Sequence, residues 1–366
     1  MRRASSATPD PPSQSSARWA TPRGRRPDAA GLGGLAVLIS VLLVGLLWSK
    51  WVPYWGYMGQ AGDDAQWPGT DVFEAVGGTV TLEGAWAFTL AYFSAVWKAL
   101  LVAVLVAAVI DSMVPRDWMM RLMNRASSLR QSSMGALLSL PTMMCSCCAA
   151  PVASGLRRRG VSAQAALAYW VGNPLLNPVV LVFVLLLLPW EWGAVRILAG
   201  AALAVGASAL IGRWVSGRGE GVPPPAAEEE NLRRLPRGFL RSLVRFIAIL
   251  IPGHVMLVFL IGLLSPYFSG LYGLEAQFGA AAVVLAAAVG TLLVIPTGGE
   301  IPIVLALIAA GAGTGMAGAL LITLPALSAP SMALVIREMG WRATTAMPLA
   351  VLTAGTAAGL LLMTTS

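Results

Sequence analysis

The chain has 366 residues, 57% of them hydrophobic and only 11% charged, whereas soluble domains run at about half apolar and a quarter charged. That balance excludes a soluble domain and defines an all-α polytopic membrane protein whose first partner is the lipid bilayer. The net charge of +8 does not argue for nucleic acid, because the basic residues sit in short runs beside apolar spans, where a cytoplasmic-face bias puts them.

Residues 1–30 are rich in Ser, Pro and Arg without apolar periodicity and read as a disordered cytoplasmic tail. The apolar run that follows, within 31–50, is too long for a signal-peptide core and reads as a retained anchor with its N-terminal side in the cytoplasm. Residues 51–85 carry Asp63, Asp64, Asp71, Glu74 and Glu83 with several aromatics, which suits an outer loop. A second span over about 86–110 returns inward and delivers a basic, amphipathic piece to the inner surface.

Residues 134–156 are apolar but bracketed by Arg121, Arg125 and Arg130 on one side and Arg157, Arg158 and Arg159 on the other. Both ends therefore belong inside, which predicts a broken or re-entrant hairpin with Pro141 and Pro151 interrupting its helix. Irregular backbone at that depth survives only when buried in protein or lining a watery cavity. Spans over 163–188 and 194–214 complete a first membrane unit, residues 86–214.

A polar, proline-rich stretch, 215–241, reads as a cytoplasmic linker. The second unit, 242–366, has spans over 242–264, 319–336 and 345–363. Between the first two lies an apolar run, 278–311, broken by PTGGEIP. The loop SPYFSGLYGLEAQ, free of Lys and Arg, belongs outside and REMGWR inside, so PTGGEIP must enter and leave by the outer face.

The two interrupted segments match at fixed offsets. Pro151, Gly160 and Pro174 align with Pro302, Gly311 and Pro325 at a constant shift of 151 residues, and LLSLPT aligns with LLVIPT after four extra residues in the first copy. With the arginines inverting the second copy, the expected architecture is an inverted-topology repeat with two hairpins plus one extra N-terminal span. In such transporters solute binds near the midplane, where broken helices meet.

All three cysteines, Cys145, Cys147 and Cys148, fall at the first hairpin tip. They are either soft ligands for a thiophilic species or small residues that let backbones approach. Glu300, at the second tip, is an intramembrane carboxylate and so a candidate for proton coupling. Lys98, midway along its span, is its expected partner. Asn173 and Asn177, each before a proline, offer amides where helix bonds are lost; Thr142 and Thr297 follow the matched prolines. His254, the only histidine, ranks below Glu300. No metal ligand set is defined and no cofactor is expected.

The segment PTMMCSCCAAPVASGLRRRGVSAQAALAYWVGNPLLNPV resembles the signature of a bacterial predicted-permease family that includes organoarsenical efflux permeases, and PTGGEIPIVLALIAAGAG looks like its second block. The resemblance runs from about residue 86 to the end. It departs at Cys148, where glycine is expected, and in a second copy without cysteine. It implies an inner-membrane permease rather than an enzyme, moving a small solute, with efflux of an organoarsenical or other metalloid species belonging to only some members. A membrane thiol-disulfide relay and a non-transporting subunit remain as alternatives, and a homo-oligomer is left open.

Overall fold

The computed structural model describes residues 29–64, 81–217, 235–264, 274–309 and 313–365. Nearly all of the expected tail, 65–80 of the expected outer loop, most of the linker, the first part of SPYFSGLYGLEAQ and Gly311 lie outside these residues. Every regular element among the described residues is helical, as a lipid environment requires of a chain that must satisfy its own backbone. Among the described residues, six helical stretches are long and apolar enough to cross a membrane: Leu32–Gln60, Leu82–Ser112, Ala163–Leu187, Trp190–Ser216, Pro236–Leu263 and Trp341–Thr365. A bent pair, Thr314–Ala326 with Ala329–Met339, makes a seventh.

In chain order, α1 (Ala29–Leu46) runs through a π-helical turn, Leu47–Trp51, into α2 (Val52–Asp64). The helix thus continues about fifteen residues beyond the expected anchor, and the loop predicted from residue 51 is helical as far as Asp64. Its acidic residues fixed the side of the membrane the segment favours, a property that does not distinguish loop from helix. Next come α3 (Leu82–Ser112), the short α4 (Arg116–Met123), α5 (Ser128–Ser139) and α6 (Ser146–Arg158). Then follow α7 (Ala163–Leu175), α8 (Pro178–Leu187), α9 (Trp190–Ala201) and α10 (Ser208–Ser216). The second half has α11 (Leu235–Leu264), α12 (Leu274–Phe278), α13 (Ala280–Leu292), α14 (Glu300–Ala309), α15 (Thr314–Ala326), α16 (Ala329–Met339) and α17 (Trp341–Thr365).

Several breaks fall beside prolines, but Pro151, expected to interrupt the first hairpin's helix, lies inside α6, and Pro174 lies inside α7, where each costs one backbone bond without ending the helix. Between α5 and α6 the chain turns through Pro141 and Met143, whose φ of 45° is left-handed; between α13 and α14 it turns through Pro296 and Gly298, with φ 83°. Pro178 opens α8, and the Asn177 side chain accepts from the N–H groups of Val179 and Val180 at 3.1 and 3.4 Å, an N-cap. The span expected over 319–336 is in fact two helices bent by 48°. Pro330 starts the second of them, and the Ser331 hydroxyl accepts from the N–H of Ser328.

Packing is built on small side chains. Every residue of α7 is buried, and a Cβ on Gly135 of α5 would come 2.1 Å from the carbonyl oxygen of Ala165. Likewise a Cβ on Gly290 of α13 would meet Thr323 Oγ1 of α15 at 2.3 Å. Backbones thus approach as close as membrane helices can, which compensates for the absence of a hydrophobic drive between them in lipid. Helix α3 packs on α11 and α6, α5 on α7, α13 on α15 and α15 on α17. Leu43, Val44, Leu186, Leu210 and Met256 face outward as an apolar coat.

Candidate functional site

The interruptions converge. Cys145 is the N-cap of α6, with Cys147 and Cys148 in its first turn. All three thiols are free and buried. Cys145 Sγ lies 3.1 Å from the sulfurs of both others, and the Tyr92 hydroxyl of α3 lies 3.1 Å from Cys147 Sγ. The three sulfurs fit within 4.8 Å of one another, close enough for one soft atom to be held by two or three of them.

The tip is braced from behind by Asn173. Its side-chain oxygen accepts from Thr142 Oγ1 at 2.6 Å and from the Met144 N–H at 3.0 Å, while its amide donates to the Tyr169 carbonyl at 3.0 Å. Asn173 thereby supplies acceptors and donors where Met143 has left helical geometry. The Ser146 hydroxyl meets that of Ser328 at 3.1 Å, joining the first tip to the bend between α15 and α16.

A cavity of about 10 Å³, room for roughly one water, is bounded by Cys145, Pro174, Thr297, Gly298, Glu300 and Pro325. Elements from both halves therefore border one small space. Cys145 and Glu300 take the same place in the two tips: each is the third residue after a Pro-Thr pair whose following residue has positive φ, and each stands at the start of a helix.

Glu300, 1% exposed, pairs with Arg196 of α9, which is fully buried; Nη2 to Oε1 is 2.7 Å. Arg196 also donates to three main-chain carbonyls: Nη2 to Pro174 at 3.1 Å, Nε to Leu175 at 3.4 Å and Nη1 to Leu321 at 3.1 Å. The choice of carbonyls has a reason. Pro178 and Pro325 lack the N–H that would bond the carbonyls four residues earlier, Pro174 and Leu321, and the Val179 N–H is diverted to Asn177, which frees Leu175. One guanidinium satisfies all three orphans and the carboxylate.

The remaining predicted residues divide. Thr297 receives the Lys50 ammonium on its hydroxyl at 2.9 Å and the Tyr54 hydroxyl on its carbonyl at 3.1 Å. Asn177 is a cap whose side-chain nitrogen is buried without a partner. Lys98 is not Glu300's partner: it lies over the rings of Trp48 and Trp97, at 5.6 and 5.8 Å, and α9 supplies the counter-charge instead. His254 is buried on α11 beside a separate cavity with Pro330 and Leu334. The arginines after the first tip bond at one end of the bundle: Arg158 pairs with Asp111 at 3.5 Å and Glu338 at 3.3 Å, and Arg245 pairs with Asp111.

Sequence reading missed Arg196, Lys50, Tyr54 and Tyr92. For Arg196 the signal was present, since a lone arginine within an apolar span merits the functional presumption given to Glu300. Lys50 stands at the last residue of the expected 31–50 anchor, and the π-helical turn that carries it, Leu47–Trp51, has no sequence signature.

Membrane-length helices around a small cavity bounded by Cys145 and Glu300 define a multi-pass membrane protein. The chain belongs to the family described as "Predicted permease" (ArsP_1), whose model matches residues 81–364. It is also 37% identical over 305 residues to UPF0718 protein YraQ of Escherichia coli (strain K12), covering 81% of this chain and 85% of that protein. No solved structure matches. Membership in a permease family agrees with a transporter rather than a catalyst.

Proposed function

We propose that this protein is a secondary permease of the bacterial inner membrane that exports a small thiophilic solute, such as a trivalent organoarsenical, by alternating access. The observation that carries the reading is a cluster of three thiols whose member Cys145 bounds one cavity with the ion-paired carboxylate of Glu300, from the other half of the chain. A trivalent arsenic species would exchange hydroxide for thiol sulfur, each thiol proton leaving with one hydroxide as water. Cys145, Cys147 and Cys148 hold the solute, and Thr142, Asn173 and Asn177 fix the first tip and the adjoining break. Thr297 and Glu300 form the opposing wall. Lys98, away from the cavity, has no part in proton coupling. Glu300 carries it, since protonation would discharge the carboxylate facing Arg196 and loosen the clamp between the halves.

Alternating access is supported by likenesses between the halves beyond the prolines. Asn124, just after α4, accepts on Oδ1 from the Ser162 N–H at 2.7 Å, and Glu275, 151 positions later in α12, accepts from the N–H groups of Gly315 and Met316 at 3.2 and 2.8 Å. Glu275 caps α15, while Asn124 anchors Ser162, the residue whose own hydroxyl caps α7. We read these as the two inner-and-outer related turns of an inverted repeat, with the N-terminus and the Arg158 cluster in the cytoplasm.

The test is uptake of methylarsonous acid into everted membrane vesicles. Wild type is expected to accumulate it, and a Cys145→Ser, Cys147→Ser, Cys148→Ser variant of equal membrane abundance to lose most of that uptake. Undiminished uptake in the triple variant would remove the thiols from the mechanism.

A further inference from the structure

Lys50 lies outside residues 81–364, the part of the chain matched by the family model, yet its ammonium is 6% exposed and bonded to the tip of the second half. It bonds the Thr297 hydroxyl at 2.9 Å and lies 5.3 Å from the Tyr54 ring. None of the ion pairs among the described residues includes it; the acidic groups that face it are the Cys145 and Cys148 thiols. Glu300 is neutralised by Arg196, so once those thiols bond a soft atom Lys50 has no counter-charge. An ammonium removed from water without a counter-ion costs several kcal/mol, so a negative group arriving there is favoured. The starts of α6 and α14 carry Cys145 and Glu300 to the same cavity, and their helix dipoles add to the positive field.

We propose that Lys50, with Thr297 and Tyr54, forms an anion subsite, so that the solute held by the thiols carries a negative charge and the leading helix selects it. This rests on the thiol-binding reading above. The subsite would hold the acidic group of the solute while the thiols hold its soft atom, Thr297 and Cys145 being the members of each that meet at the cavity.

The experiment compares two trivalent arsenicals with the same arsenic centre, phenylarsine oxide and its para-carboxylated analogue, by titration of the purified full chain in detergent. Wild type is expected to bind the carboxylated form more tightly, by about tenfold, the size of one screened charge contact of roughly 1.4 kcal/mol. Lys50→Met should abolish the preference while retaining the neutral ligand, and Lys50→Arg should keep most of it. Equal binding of the two by wild type overturns the proposal alone, as does a preference that survives in Lys50→Met. Binding of neither by wild type overturns the thiol reading and this inference with it. Because the wild-type comparison decides by itself, a poorly folding variant does not shield the proposal.

Discussion

Arg196 and Glu300, 104 residues apart in sequence, form an ion pair at 2.7 Å with side chains 0% and 2% exposed. The same guanidinium holds carbonyls of α7 and α15, so this contact is where the two halves of the chain are locked to one another. A buried pair of this kind is fragile in one direction only: removing one member strands the other, whereas replacing both with apolar groups of similar volume leaves nothing unpaired. Arg196→Leu is therefore expected to destabilise the protein by roughly 3–5 kcal/mol. The Arg196→Leu, Glu300→Leu double variant should recover much less than the full loss, because three carbonyls still lack donors. Unfolding in detergent followed by circular dichroism would check this; a full recovery would mean that the carbonyl bonds carry no weight.

Asn173→Ala removes the acceptor shared by Thr142 and the Met144 N–H. Leaving that buried N–H unsatisfied should cost about 1–3 kcal/mol. The effect is expected to be local, so maleimide labelling of the three cysteines in membranes should accelerate more than global unfolding does. An equal change in both would indicate that Asn173 supports the whole bundle.

The two close helix approaches should respond differently to a methyl group. In Gly135→Ala the obstacle is the Ala165 main chain, which cannot turn away, so a loss of about 1–3 kcal/mol is expected with no side-chain remedy. In Gly290→Ala the nearest atom is the Thr323 hydroxyl. A second change, Thr323→Ala, should return a good part of the lost stability. Thermal melting of the single and double variants would show whether the interaction energy has the expected sign.

At the Arg158 cluster, Asp111 accepts from the Ser242 hydroxyl at 2.7 Å and pairs with Arg158 and Arg245. It thereby ties α3 to α6 and α11. Asp111→Asn should weaken that tie by no more than about 1 kcal/mol, since the Arg245 partner is 42% exposed, and should speed hydrogen exchange at the end of α6 without altering solute binding at the tips. Unchanged exchange would place the tie elsewhere.

Much of the fold was legible because membrane helices announce themselves by length and apolarity, and because Pro141, Pro296 and Pro178 mark breaks that the structure has. The bend at Leu327–Ser328 was readable in principle from Pro325 and Pro330 but was absorbed into one apolar window. The site was legible where a residue's mere depth is abnormal, as for Glu300, or where its type is rare, as for the cysteines. Partnership was not legible. Glu300 was matched to Lys98 on depth alone, whereas the decisive facts are which face of α9 carries Arg196 and which carbonyls the prolines set free. Lys50 shows the same gap, since its inward direction comes from one π-helical turn.

Lys50 stands ahead of residues 81–364, the segment the family model matches, whereas the broken helices, the arginine clamp and the thiol tip lie within it. A chimera that receives only the leading helix of a relative would therefore separate what that helix contributes to cargo from what the bundle contributes to movement.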